Sequence, residues 1–232
     1  MNRPLIIGHR GAPAKTPENT LESFEKAISL GSDMVELDLQ ETVDGHLVVI
    51  HDYEVSRISS IDGMVSEMHL SELKSLDLGD GCKIPTLGEV LDICHGKCKV
   101  NIEIKVLDVE RKALEAVKQR SMLEEVIFSS FLHGTLSVVK DLEPHAETAV
   151  LYNEPMDDPI SYAIDLQASA INPLFFYLEE SVVKSAHDAG LNVYPWTIND
   201  VDMIAEFVRM GVDGIITDLP DVCFRVIQKM LG

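Results

Sequence analysis

A (β/α)₈ barrel is the fold class this sequence predicts, and three observations predict it. Eight β-rich apolar runs alternate with segments of helical period along the chain. The length, 232 residues, is within the usual range for one α/β barrel. Charged side chains recur at the carboxyl ends of the runs, where barrels of this kind carry their chemistry.

Leu5 to His9 is the first strand, and Asn19 with Glu22 is a capping-box-like pair that starts the first helix. Gly31 stands where that helix should stop, before the second strand, Met34 to Leu39. Leu47 to His51 follows too soon to be parallel, because a parallel crossover needs about a dozen residues. It is expected as an antiparallel return arm, with Asp44 and Gly45 as the two turn residues. Residues 53–84 hold only a short helical pattern around Ser71 to Leu76. They are expected as an insertion over the barrel mouth, since roughly thirty residues bury little core alone, so residues 1–232 form one domain. Thr86 with Glu89 starts the next helix. Val100 to Ile104, Val126 to Ser130, Thr148 to Tyr152, Ala170 to Asn172, Asn192 to Trp196 and Gly214 to Thr217 complete the strands, with Gly190 and Gly211 as helix stops.

Hydrophobic content of 46% and charged content of 25% are those of a globular chain with a real core. The net charge of −20 argues against nucleic acid and against docking on anionic lipid through a basic surface. A small anionic substrate stays compatible, because one local pocket can reverse the field. No apolar run reaches the roughly 18 residues of a membrane span, and Leu5 to His9 is too short for a signal peptide. Cys82, Cys94, Cys98 and Cys223 are too scattered for a disulfide framework and read as reduced thiols in a cytoplasm. Cys94 and Cys98 lack the second ligand pair of a zinc finger. The sequence sets no oligomeric state.

The return arm carries the densest chemistry. With Asp44 and Gly45 at the turn, Asp38 would stand directly opposite His51, with Cβ atoms about 5 Å apart. Period 2 puts Glu36 on the same face, so two carboxylates and an imidazole converge. Carboxylates this close share a proton or hold a cation. Other strand ends supply His9 and Arg10, Glu103 and Lys105, Ser130 and Phe131, Asn172, Trp196 and Thr217 with Asp218. Oxygen ligands favour one hard divalent ion, Mg²⁺ or Ca²⁺. Arg10 and Lys105 suit a phosphate, and two histidines can divide proton removal and delivery near neutral pH.

His9-Arg10-Gly11, Pro17-Glu18-Asn19-Thr20, Glu36-Leu37-Asp38, Asp44-Gly45, His51-Asp52, Ile84-Pro85-Thr86-Leu87, Glu103-Ile104-Lys105, Trp196-Thr197 and Asp213 to Asp218 resemble, in order, the glycerophosphodiester phosphodiesterase family. The compact bacterial type is the nearest likeness. The resemblance implies a barrel that hydrolyses glycerophosphodiesters to glycerol 3-phosphate and an alcohol. It implies that Glu36, Asp38 and Glu103 hold the metal, that His9 and His51 are catalytic, that Arg10 and Lys105 bind phosphate, and that Trp196 walls the substrate. Arg57-Ile58-Ser59-Ser60 stands where the family often has Arg-Thr-Thr, so the insertion's contacts do not transfer.

Four other readings compete. Glu36 and Asp38 could pair with Arg10 and Lys105 in a structural ion network, though such networks are a costly way to stabilise a barrel. Metal-dependent enolisation also uses carboxylate ligands with a Lys or His base. A non-catalytic binding module predicts a missing histidine or ligand, and none is missing. Cleavage of lysophospholipids would need an apolar groove. Phe131 is a second candidate for the substrate wall, Glu18 and Asn19 either cap the first helix or touch the site, and the remaining histidines are expected in solvent.

Overall fold

The computed structural model describes residues 3–232. Its strands are β1 (Leu5–His9), β2 (Met34–Glu41), β3 (Leu47–Val49), β4 (Lys99–Ile104), β5 (Val126–Ser130), β6 (Glu147–Tyr152), β7 (Ala170–Pro173), β8 (Asn192–Val193) and β9 (Gly214–Thr217). The helices are α1 (Leu21–Ser29), α2 (Leu70–Ser75), α3 (Leu87–Cys94), α4 (Glu110–Gln119), α5 (His133–Leu142), α6 (Pro159–Asp165), α7 (Glu180–Asp188), α8 (Val201–Met210) and α9 (Pro220–Leu231). Parallel pairing runs β8-β7-β6-β5-β4-β2-β1-β9, and β3 pairs antiparallel with β2 outside that circuit. Eight parallel strands thus form a nearly closed barrel with helices between them, as the alternation of runs predicts.

Closure falls between β8 and β9. Asp213 N donates to Val193 O at 3.1 Å and Ile216 N to Pro195 O at 3.0 Å. The predicted strand to Trp196 is cut to two residues because Pro195 has no N–H to give the ladder. Inside the barrel, Ile7, Met34, Ile127, Ala149, Ala170, Tyr194 and Ile216 pack as one apolar cluster. Each such side chain contributes about 1.5–3 kcal/mol when removed from water. This layer blocks the interior, so polar residues farther along the same strands must face the mouth.

The return arm corrects one expectation. Leu39 pairs with Val49 and Glu41 with Leu47, and Ile50 N donates to Asp38 O at 2.9 Å. Ile50, not His51, therefore stands opposite Asp38. Thr42 N donates to His46 O at 3.0 Å, so the loop has three residues, Val43 to Gly45, instead of two. Gly45 takes φ +79°, the left-handed conformation that such a loop requires. Asp44 Oδ1 accepts from the Thr42 hydroxyl at 2.7 Å and from Leu70 N at 3.1 Å, which ties the loop to α2.

The cap of α1 is Thr20, whose Oγ1 accepts from Ser23 N at 3.1 Å. Asn19, the predicted cap, turns away at φ +55°. The Thr86 and Glu89 capping box, and Gly31, Gly190 and Gly211 with positive φ beyond their helices, form as the sequence predicts. Between residues 53 and 84, Val55, Val65, Met68, Leu73, Leu76 and Ile84 bury with Val48 and Ile50 of the return arm in a small satellite core.

Candidate active site

β2 and β4 run parallel with Asp38 beside Glu103, and Glu36 beside Asn101. On the other side Glu36 is beside His9 of β1. Register alone therefore groups Glu36, Asp38 and Glu103, and one carboxylate oxygen from each lies within 4.8 Å of the others. All three side chains are buried or nearly so. Burial first, then the charges of Asp38 and Glu103, holds Glu36 well above the ordinary carboxylate range. Burial and Asp38 likewise push Glu103 up to about 7, against the pull of Lys105. Asp38 goes the other way: burial would raise it, but Lys105, Arg10 and His51 hold it low, helped by a hydrogen bond from Asn19 Nδ2 at 2.7 Å.

The competing ion network is present in part. Lys105 Nζ donates to Glu103 at 3.0 Å and to Asp38 at 3.2 Å. Arg10 Nε lies 3.3 Å from Asp38 Oδ2 without hydrogen-bond alignment. Two cations do not balance three carboxylates, and the buried Glu36 Oε1 has no partner. An acidic cluster with an unsatisfied oxygen fits a hard divalent ion.

Arg10 follows β1 in a sharp turn, with φ +53° at Arg10 and +90° at Gly11. A Cβ on Gly11 would come within 2.5 Å of Ser23 Oγ, so only glycine fits. The turn aims Arg10 N at Glu36 Oε2, 3.0 Å away, and places the guanidinium 3.0 Å from Glu18 Oε1.

Each candidate histidine is backed by a carboxylate. His9 Nδ1 meets Asp218 Oδ1 at 2.6 Å, and His51 Nδ1 meets Asp52 Oδ1 at 2.6 Å. Such a partner holds the Nδ1–H tautomer and leaves Nε2 for substrate. Asn199 orients Asp218 in turn, through Nδ2 to Oδ2 at 2.6 Å and by accepting Asp218 N at 2.9 Å. Burial lowers the His51 pKa, with Lys105 and Arg10 adding to the fall and Asp38 and Asp52 opposing it. His51 lies beyond the end of β3, and the backbone bend that follows the strand brings it to the cavity in place of strict cross-strand pairing.

His9, Arg10, Glu36, His51 and Glu103 line a cavity of about 230 Å³ with Asn101, Ser129, Phe131, Leu151, Asn153, Asn172, Trp196 and Ile216. Lys105 instead lines an adjoining groove, which shares His51 with the cavity. Trp196 Nε1 donates to Asn172 O at 2.9 Å, and its ring meets Phe131 edge to face at 5.6 Å. Of the other histidines, His133 is half-buried and bonded to Leu151 O at 2.8 Å, whereas His46, His69, His95, His145 and His187 are exposed.

Sequence reasoning gave no role to Asp218, Asp52 or Arg57, although the motifs it quoted contain all three. Asp218 at a strand end and Asp52 beside a candidate histidine carry the signal from which a backing role could have been read. Arg57 gives none, because its contacts are long-range: Nη2 donates to Glu18 Oε1 at 2.5 Å and Nε to Asp52. It joins the carboxylate behind His51 to the one beside Arg10. Arg57 is half-exposed, so little stability rests on these pairs. Arg57→Met is expected to lower kcat about tenfold, within the range for partners that orient catalytic groups, with the melting temperature changed by less than about 2 °C. Steady-state kinetics beside thermal denaturation checks this.

The sequence model of the Glycerophosphoryl diester phosphodiesterase family matches residues 9–222. A curated protein of Caldanaerobacter subterraneus subsp. tengcongensis, named glycerophosphodiester phosphodiesterase, is 38% identical over 98% of this chain and 99% of its own. A glycerophosphodiester phosphodiesterase structure from Thermotoga maritima superposes with a TM-score of 0.85 at 32% identity, covering 97% of this chain and 99% of that one. An Oleispira antarctica phosphodiesterase, solved with the product sn-glycerol-3-phosphate, gives a TM-score of 0.88 at 27% identity, covering 97% of each chain.

Proposed function

The chain belongs to the glycerophosphoryl diester phosphodiesterase family, and we propose that it hydrolyses glycerophosphodiesters to glycerol 3-phosphate and an alcohol with one divalent ion and two histidines. The observation that carries this reading is the buried acidic trio, two of whose members, Glu36 and Glu103, line one cavity with two carboxylate-backed imidazoles.

Glu36, Asp38 and Glu103 would hold the ion, and an all-oxygen set suits Mg²⁺ or Ca²⁺. When bound, it supplies Lewis acidity to the phosphoryl oxygens and to a neighbouring hydroxyl. Arg10, at the cavity wall, and Lys105, in the adjoining groove, stabilise charge gathering on the phosphoryl group. His51, whose pKa burial lowers, takes the proton from the attacking oxygen, the substrate's own adjacent glyceryl hydroxyl. His9, fixed by Asp218, gives a proton to the departing alcohol. The cyclic phosphate is then opened by water, with the two histidines exchanging roles. Trp196 and Phe131 form the apolar wall beside the substrate.

We read residues 1–232 as one barrel domain with residues 53–84 inserted. Among the described residues no helix is long and apolar enough to cross a membrane, and the four buried free thiols fit a reducing cytoplasm. A second reading, cleavage of lysophospholipids, is favoured by Leu107, Leu132 and Phe176, which stand exposed in segments that follow barrel strands.

Release of glycerol 3-phosphate from a panel of glycerophosphodiesters, a lysophospholipid and a diester lacking the adjacent hydroxyl tests these statements together. Product from the glyceryl diesters is expected, abolished by chelation and restored by Mg²⁺ or Ca²⁺. Undiminished turnover of the deoxy diester means direct attack by water.

A further inference from the structure

Beyond the residues given a part in the reaction, the cavity carries neutral polar groups that nothing in the protein pairs: Asn101 stands beside Glu36 and Ser129 beside Glu103, and Asn172 lies farther round the barrel on β7. Asn172, on β7, is fully buried, and neither its Oδ1 nor its Nδ2 has a hydrogen-bond partner. Asn101 Oδ1 on β4 and Ser129 Oγ on β5 are likewise buried and unpartnered. All three line the same cavity. Folded proteins pair nearly all their buried polar atoms, so several unpaired ones lining one cavity mark a surface shaped to a polar ligand.

The chemistry of the wall narrows what that ligand group is. Two amides and a hydroxyl offer donors and acceptors without charge, which suits alcohol groups better than a phosphate or a cation. Apolar Leu151 and Ile216 stand beside them, and the apolar layer of Ile127, Ala149 and Ala170 belongs to the same strands. Asn172 is anchored, because its own carbonyl accepts the Trp196 indole N–H.

We propose that Asn172, with Asn101 and Ser129, receives the free terminal hydroxyl of the substrate's glyceryl half. This rests on the glycerophosphodiesterase reading above. The glyceryl half then enters the barrel and the leaving alcohol points to the mouth. Asn172 becomes a specificity-determining residue, since a substrate whose terminal hydroxyl is missing or acylated leaves a buried amide unpaired.

The test compares kcat/KM of the ion-loaded wild type, Asn172→Leu and Ser129→Ala on two choline diesters. One carries glycerol; the other carries propane-1,2-diol, which keeps the adjacent hydroxyl and lacks the terminal one. The wild type is expected to prefer the glyceryl diester by about 10²-fold or more. Asn172→Leu is expected to lose most of that preference by slowing the glyceryl substrate alone, and Ser129→Ala to lose part of it, which keeps the test sound should the leucine variant fold poorly. Equal slowing of both diesters, or an unchanged ratio in both variants, overturns the proposal. A wild type that cleaves both diesters equally also overturns it while leaving the broader activity intact, whereas one that cleaves neither overturns the activity itself and the proposal with it.

Discussion

Glu103→Gln is expected to cost at least about 10²-fold in turnover and yet to make the metal-free protein harder to melt. Glu103 titrates near 7 in the fold, above the ordinary value of 4.5, because it is buried beside Asp38. A carboxyl with a raised pKa binds more protons folded than unfolded between those values. Stability therefore falls as pH rises from about 4.5 to 7, and the full penalty holds above 7. Glutamine keeps a carbonyl for Lys105 and removes the charge. The gain is on the order of 3 kcal/mol, or roughly 6–12 °C for a chain of this size. Thermal denaturation of chelated protein at pH 8 and pH 5 checks the sign: the variant's advantage should be present at pH 8 and small at pH 5. A variant less stable than wild type at pH 8 would mean that the trio is a satisfied ion network, the reading in which Glu36 and Asp38 serve Arg10 and Lys105.

The two histidines should separate by leaving group. His9→Ala is expected to lose about 10²–10⁴-fold on a choline diester, the usual contribution of a positioned acid or base. With glyceryl p-nitrophenyl phosphate, whose leaving group departs without a proton, the same variant should come within about tenfold of wild type. His51→Ala should be slow on both, because the attacking hydroxyl must still lose its proton. Rescue of His51→Ala, with His9→Ala slow on both, reverses the assignment. In the wild type, activity should fall as pH drops through the lowered pKa of His51, since protonation removes the base.

The eight-strand rhythm was legible because each barrel strand is an apolar run ended by polar residues. The acidic trio was legible because Glu36 and Asp38 are two apart on β2, and the spacing repeats with Glu103 on β4 and Lys105 just beyond its end. Register was not. Asp44-Gly45 reads as a two-residue turn, but the chain uses a three-residue loop, since Thr42 and His46 pair and Asp44 is held by Thr42 and by α2. That one-residue shift removes the direct pairing of His51 with Asp38, and the bend after β3 restores their proximity. Asn19 was misread as a cap because its side chain serves Asp38 across the fold, leaving the cap to Thr20. Arg57 carries no local sequence signal, because it acts through contacts with distant carboxylates, whereas Asn172 is legible as a strand-end residue but its lack of a partner in the barrel is not.

Titrating Mg²⁺ or Ca²⁺ into chelated wild type, while following bound ion and glycerol 3-phosphate release together, probes the acidic trio most directly. One ion per chain is expected, with activity rising in proportion to occupancy, and neither signal in Glu103→Gln over the same range. Full turnover by wild type with no ion bound would contradict the role given to Glu36, Asp38 and Glu103.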